Sequence, residues 1–403
     1  MFFDAGGYLY DFDYRNHVGQ PIVFLYTFYI FLFTSVVSFR VSKTVSLSLF
    51  IGLLKSLFFG IYFYFNYSSE YHFYDDIAYL VRSYNLLKDL SLLEIFGNLE
   101  TPKSIIGTGH IGYWLYNLFA VKIFGYYYFS PVLVNIFLSI ISSYLMYLTL
   151  VKVKFSNSFA IFFFFISLIH WDTIAWTTYL NSKEQLIQFC IVLFFYNLIK
   201  ISVDQKIYIK NLIFIIFSLW IVSEVRTYVL IILISLMFFY YLSFFRVQKH
   251  YISRLVILLG LFILIPIYVY INYDSIYLGI RSSYELLIFS DINSGFSQIT
   301  YGIFRYLLTP LPWQVEENYR FLIYASWLHW TFFPVFLFGL FLVLRKKNSK
   351  LIGYLFLFII LIIFYSIFVE LQGPRHRYQI ANIIIFLQCL AVFKVFSKRN
   401  IYQ

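Results

Sequence analysis

Apolar stretches of roughly 15 to 23 residues recur along this chain, and Lys and Arg gather at every second gap between them. Crossing the hydrocarbon layer takes about 20 apolar residues in a helix. Suitable stretches fall at residues 21–39, 44–66, 130–151, 156–170, 185–199, 211–225, 228–245, 255–272, 323–344, 351–369 and 378–393. The pattern predicts an all-α polytopic integral membrane protein with about eleven transmembrane helices. Hydrophobic residues make up 61% of the 403 positions and charged residues only 12%, about half the charged share of a soluble domain, so a soluble fold is excluded.

The basic clusters test the count. They are Arg40 and Lys43; Lys152 and Lys154; Lys200, Lys206 and Lys210; Arg246, Lys249 and Arg254; Arg345, Lys346, Lys347 and Lys350; and Lys394, Lys398 and Arg399. Together they hold 17 of the 30 basic residues and share their side with one acid, Asp204, of the 19 in the chain. By the positive-inside rule that side is cytoplasmic, with the N-terminus outside and the C-terminus inside. Residues 110–127 are also apolar, but counting them as a span would reverse every later loop. They are expected instead as an amphipathic helix in the outer interface, with Lys122 and Trp114 at headgroup depth. The chain reads as one membrane domain, 1–403. An N-terminal span lies within 1–43, a first outer loop with interfacial helices covers 67–129, and a second large outer loop covers 273–322. The first twenty residues are acidic and polar, unlike a cleavable signal.

Two further classes are set aside. The 51 Phe and 39 Tyr are spread through every apolar run, which gives no stacking platform and no nucleic-acid partner. Cys190 and Cys389 lie inside apolar runs, so neither a disulfide framework nor a metal cluster is read from them.

In a chain so poor in acids, YHFYDDIAYLVRSYN (residues 71–85) sets Asp75 and Asp76 together just after a span. On a helix, neighbouring residues point about 100° apart, while Asp75, Tyr79 and Arg82 share a side. One acid suits a general base; the other suits a helix cap or a cation. The alternative is a solvated acidic loop end.

An outer loop carrying Asp, a second acid, two intervening residues and Tyr after an early span resembles the polytopic glycosyltransferases of the GT-C type. The likeness is strongest to the protein mannosyltransferase and aminoarabinose transferase group, which take sugars from polyprenyl phosphates. GHIGYWLYNLFAVKIFG (109–125) is similar to that group's next motif, with Ile111 and Gly112 where the family has prolines. GPRHRYQIANIIIFLQCLAV (373–392) resembles its late Arg-Tyr motif. The resemblance implies Asp75 as catalytic base, with Asp76 and Asp172 assisting, and His110 at the donor phosphate. It also implies a polyprenyl-phosphate sugar donor and a glycan or lipid-linked acceptor, in a bacterial inner membrane with the active site on the extracytoplasmic face.

The chemistry asks for such residues. A sugar hydroxyl attacking an anomeric carbon must lose a proton, which a carboxylate can accept. The departing lipid phosphate needs fixed positive charge. Arg226 in SEVRTY and Arg375, His376 and Arg377 in GPRHRY stand at outer ends of spans. Lys183 and Glu184 either orient a substrate or form a local ion pair at a helix start, and Glu224 and Arg226 could pair with each other. A divalent ion would require Asp76, Asp172 and His170 to converge. Arg305 precedes Pro310, Pro312 and Trp313, which read as a rigid turn and an interfacial anchor. Lys55 is the basic residue deep within a span, where charge is functional by default unless it snorkels.

A repeat-unit polymerase or ligase of surface polysaccharide would share the size and span count but not the acid pair after an early span. A transporter would show internal duplication and more intramembrane charge.

Overall fold

The computed structural model describes residues 20–66, 78–81, 83–85, 111–204, 206, 208–245, 295–315, 317–346, 352–367 and 373–397. Among these the chain is helical, with no strand. The helices are α1 (Gln20–Ser42), α2 (Val45–Ile61), α3 (Ile111–Phe124), α4 (Phe129–Lys152), α5 (Asn157–Ile169), α6 (Trp171–Thr178), α7 (Glu184–Asp204), α8 (Ile209–Val225), α9 (Thr227–Phe245), α10 (Gly295–Leu308), α11 (Ile323–Lys346), α12 (Ile352–Ile367), α13 (Pro374–Arg377) and α14 (Ala381–Phe396).

Close approach of backbones organises the bundle, as small residues allow in membranes. The α1–α2 hairpin meets at Gly52, where a Cβ would run into the Ser35 side chain, and at Gly60, where it would lie 3.1 Å from Thr27 Oγ1. The hairpin packs on α4 through Tyr26, whose hydroxyl is 3.2 Å from Ser130 Oγ and also donates to the Phe124 carbonyl. Helices α4, α5, α7 and α14 form the centre; α8 and α11 pack outside α7 and α14. Gly339 of α11 lies so near the Leu387 carbonyl that a Cβ there would collide with it.

Six helical stretches among the described residues are long and apolar enough to cross a membrane: Ile22–Ser42, Val45–Phe65, Phe129–Lys152, Glu184–Asp204, Arg320–Arg345 and Pro374–Phe396. Joining α5 to α6 gives a seventh, bent by 45°. Of the other expected spans, α8 and α12 have 17 and 16 residues, α9 runs over the 19 residues Thr227–Phe245, and 255–272 lies outside the described residues. The bend follows from His170, whose backbone is extended (φ −60°, ψ 137°) and whose ring Nδ1 accepts from Asp172 N at 3.3 Å, capping α6. A ring nitrogen thus does what Ser or Asp usually does at a helix start.

Two readings of the loops change. Helix α3 forms within 110–127, and its 14 residues rise only about 21 Å, too little to cross. Trp114 is not a headgroup anchor, because it is 3% exposed and its ring packs 5.1 Å from that of Tyr79, while Lys122 is exposed. Within 273–322 lies a helix that hydropathy did not reveal, α10. Tyr301 and Phe304 are exposed on it, whereas Tyr306 is buried.

Replacing Gly339 with Leu should separate α11 from α14 and destabilise the protein by at least about 1–3 kcal/mol. Thermal melting in detergent would show the loss, and the lipid-side control Leu337→Ala should melt close to wild type; equal melting of Gly339→Leu and wild type would contradict the packing.

Candidate functional site

Glu184 opens α7, where a carboxylate is favoured by the helix dipole. The loop before it is held by buried amides. Asn135 Nδ2 donates to the Leu180 and Ser182 carbonyls at 3.4 and 3.2 Å. Asn181 accepts from the Tyr113 hydroxyl at 2.5 Å and donates to Asn117 Oδ1 at 2.7 Å. Helices α3 and α4 therefore fix the position of the Lys183–Glu184 pair.

The Glu184 side chain is 0% exposed and meets two arginines from distant segments. Arg375 Nε donates to its Oε1 at 2.6 Å and Arg226 Nη2 to the same oxygen at 3.2 Å. Arg226 is the single residue between α8 and α9, and its backbone leaves helical geometry there (φ −154°, ψ 87°). That break turns its side chain toward α7, and its guanidinium also stands 5.8 Å from the Tyr228 ring centroid. Neither arginine is sealed: their side chains keep 13% (Arg226) and 22% (Arg375) of their surface open. Lys183 Nζ donates to the Tyr79 hydroxyl at 3.0 Å. The sequence reading left Arg226 to pair with Glu224 or with a ligand; its ion pair is with Glu184.

The GPRHRY segment is a tight turn, with Gly373 at the cap position and Pro374 at the start of α13, where its missing N–H costs nothing. Buried amides again hold it. Gln188 Nε2 donates to the Tyr378 carbonyl at 3.1 Å, the Tyr378 hydroxyl donates to Gln185 Oε1, and the Tyr365 hydroxyl donates to Gln379 Oε1. Tyr306 of α10 donates to the His376 carbonyl at 3.2 Å. Burial pushes this phenol well above its ordinary range, so it stays a neutral donor. Arg377 turns away from Glu184 and bonds the Leu307 carbonyl at 3.0 Å and that of Thr309. Its role is to tie α13 to α10.

Asp172 lies in a second buried group. Its Oδ2 is 3.9 Å from His170 Nδ1 and 3.8 Å from His329 Nδ1. His170 is committed at both nitrogens, to Asp172 N and to Gln388 Oε1 at 3.0 Å. His329 Nε2 contacts the Leu307 carbonyl at 2.7 Å. Among the described residues no three His, Cys, Asp or Glu side chains are grouped to hold a metal ion.

Of the residues singled out in sequence, Lys183, Glu184, Arg226, Arg375 and His376 come together, with Arg377 and Asp172 on the adjoining turn and helix. Asp75, Asp76 and His110 lie outside the described residues. Arg305 is exposed on α10, and Trp313 packs 5.7 Å from the Trp330 ring. Lys55 is 1% exposed and has no hydrogen-bond partner among the described residues. Sequence reasoning missed Tyr306, His329, Tyr365 and Gln185, Gln188, Gln379 and Gln388. Polar amides inside apolar runs were the available signal for the glutamines. Comparison with family models, with curated proteins and with solved structures finds no match to this chain.

Removing the acid from between its arginines should be costly. Glu184→Ala leaves two guanidinium groups facing each other around a vacated buried position and should destabilise by about 3–5 kcal/mol. The double variant Glu184→Ala/Arg226→Ala should recover part of that loss in a thermal-melt cycle; strict additivity would show that the pair is not coupled.

Proposed function

We propose that this chain is an integral membrane glycosyltransferase that moves a sugar from a polyprenyl-phosphate donor to a glycan or lipid-linked acceptor. The observation that carries the reading is the Glu184–Arg226–Arg375 group: two guanidinium groups fixed by one buried carboxylate, both with surface still open, at one end of the helix bundle. No described residue accepts from Arg226 Nε, and the planar guanidinium fork suits phosphate. Lys183 links this group to Tyr79, four positions after Asp75 in the sequence, a separation that reaches at most about 14 Å.

In this reading the carboxylate of Asp75 accepts the proton of the acceptor hydroxyl as its oxygen bonds to the anomeric carbon. The bond from that carbon to the phosphate oxygen breaks, and the electron pair leaves with the polyprenyl phosphate. Arg226 and Arg375 stabilise the charge that develops there. One displacement with one base inverts the anomeric centre. The leaving group is already good, so the second carboxylic acid that glycoside hydrolases use is not required. Asp76, Asp172 and His110 assist at the edges of the site.

The orientation rests on charge. Among the described residues, Arg40, Lys152, Lys200, Lys210, Arg345 and Lys394 fall at the helix ends opposite Glu184. With that basic end cytoplasmic, the site faces the extracytoplasmic side of a bacterial inner membrane, with the C-terminus inside, and membrane lipids surround the spans.

Glycan analysis of cells expressing wild type, Asp75→Asn or Arg375→Gln tests the proposal. Wild type should add one defined sugar. Asp75→Asn should lose about 10²–10⁴-fold in rate and Arg375→Gln about 10²–10³-fold, with each protein still present in the membrane. An unimpaired Asp75→Asn, together with a gene deletion that changes only glycan chain length, would favour the polymerase instead.

A further inference from the structure

Three polar groups around the arginine pair have hydrogen-bonding capacity that the described residues do not use. Glu184 Oε2 accepts from none of the described residues, although Oε1 of the same carboxylate takes both arginines. Arg226 Nε donates to none of the described residues. His376 is 7% exposed, and neither Nδ1 nor Nε2 has a partner. Leaving a buried polar group unpaired costs free energy that folding must otherwise offset. Around the same turn Gln185 Nε2, Gln379 Nε2 and Asn382 Nδ2 are also without a partner among the described residues, but these are neutral amide nitrogens. Charged and titratable groups left unpaired together at the arginine pair have the character of a ligand site.

The kind of atom is informative. A phosphate alone supplies only acceptors, which would satisfy Arg226 Nε and one protonated nitrogen of His376. It would leave Glu184 Oε2 unpaired and would set two like charges against each other. A carboxylate oxygen needs a donor, and an imidazole N–H needs an acceptor; a hydroxyl supplies one of each. The set is therefore complementary to a ligand that presents an anion and a hydroxyl close together. On a sugar esterified at its anomeric carbon, the hydroxyl nearest the phosphate is on the next ring carbon.

Resting on the glycosyl-transfer reading, we infer that Glu184 and His376 read that vicinal hydroxyl of the sugar phosphate. Arg226 and Arg375 hold the phosphate; Glu184 Oε2 accepts the one proton of the hydroxyl, and His376 donates an N–H to the hydroxyl oxygen. The selected class is then a sugar phosphate with a free hydroxyl beside the anomeric carbon, and bare lipid phosphate is a weaker ligand. Glu184 has two jobs, one oxygen for the arginines and one for the sugar.

The test uses the full chain in lipid nanodiscs. Binding is measured for a C55 polyprenyl phosphate, for a panel of its hexosyl and pentosyl esters, and for the matching esters lacking the hydroxyl beside the anomeric carbon. A hydrogen bond to a charged group makes the preferred ester bind roughly ten- to hundredfold tighter than its deoxy partner. Glu184→Gln should remove most of that preference, and His376→Phe part of it. The wild-type comparison needs no variant, so a folding defect in Glu184→Gln does not block it. If bare polyprenyl phosphate binds and no ester outbinds its deoxy partner, the inference is wrong and the phosphate site stands. If no polyprenyl phosphate binds at all, the glycosyl-transfer reading fails with it.

Discussion

Burying the carboxylate of Glu184 against Arg226 and Arg375 is the constraint around which the remaining architecture is arranged. An ionised acid with no exposed surface is tolerable only if paired and hydrogen-bonded. Its partners come from the α8–α9 break and from the turn before α14, which are 42 and 191 residues away. The pairing therefore ties α7 to the α8–α9 break and to the turn before α14 at one end of the bundle. It also explains the second layer of polar contacts. Tyr378, Gln185 and Gln188 hold the turn that carries Arg375, and Asn135, Asn117 and Asn181 hold the loop that delivers Glu184.

The membrane class was legible because apolar runs and basic clusters alternate, and the structure places helices on ten of the eleven expected segments. Which of them cross unbroken was not legible. Hydropathy counts apolar atoms and does not register the extended backbone at His170 or at Arg226, where the helices break. Helix α10 escaped for the opposite reason: its exposed and buried faces average out in a hydropathy window.

The chemistry-bearing residues of the site were partly legible. Lys183, Glu184, Arg226, Arg375 and His376 stood out as charged or titratable groups at span ends in a chain that has few. Their convergence was not, since nothing local to SEVRTY points to NSKEQ rather than to Glu224 beside it. His329 went unnoticed inside ASWLHWTFFP, an aromatic run that reads as lipid-facing, although its ring lies 3.8 Å from the Asp172 carboxylate.

On the proposed reading, the carboxylate that aligns two arginines and leaves each partly open serves as a fixed template for a further anion. Preorganisation of that kind lowers the cost of ordering the site when charge develops on a leaving group. The central claim is that this template receives a lipid-borne phosphate. The most direct measurement is a cryo-electron microscopy map of the protein in nanodiscs with a polyprenyl phosphate added. The account predicts phosphate density within hydrogen-bonding distance of both the Arg226 and Arg375 guanidinium groups. Density for the phosphate elsewhere, with the Glu184 group unoccupied, would contradict it.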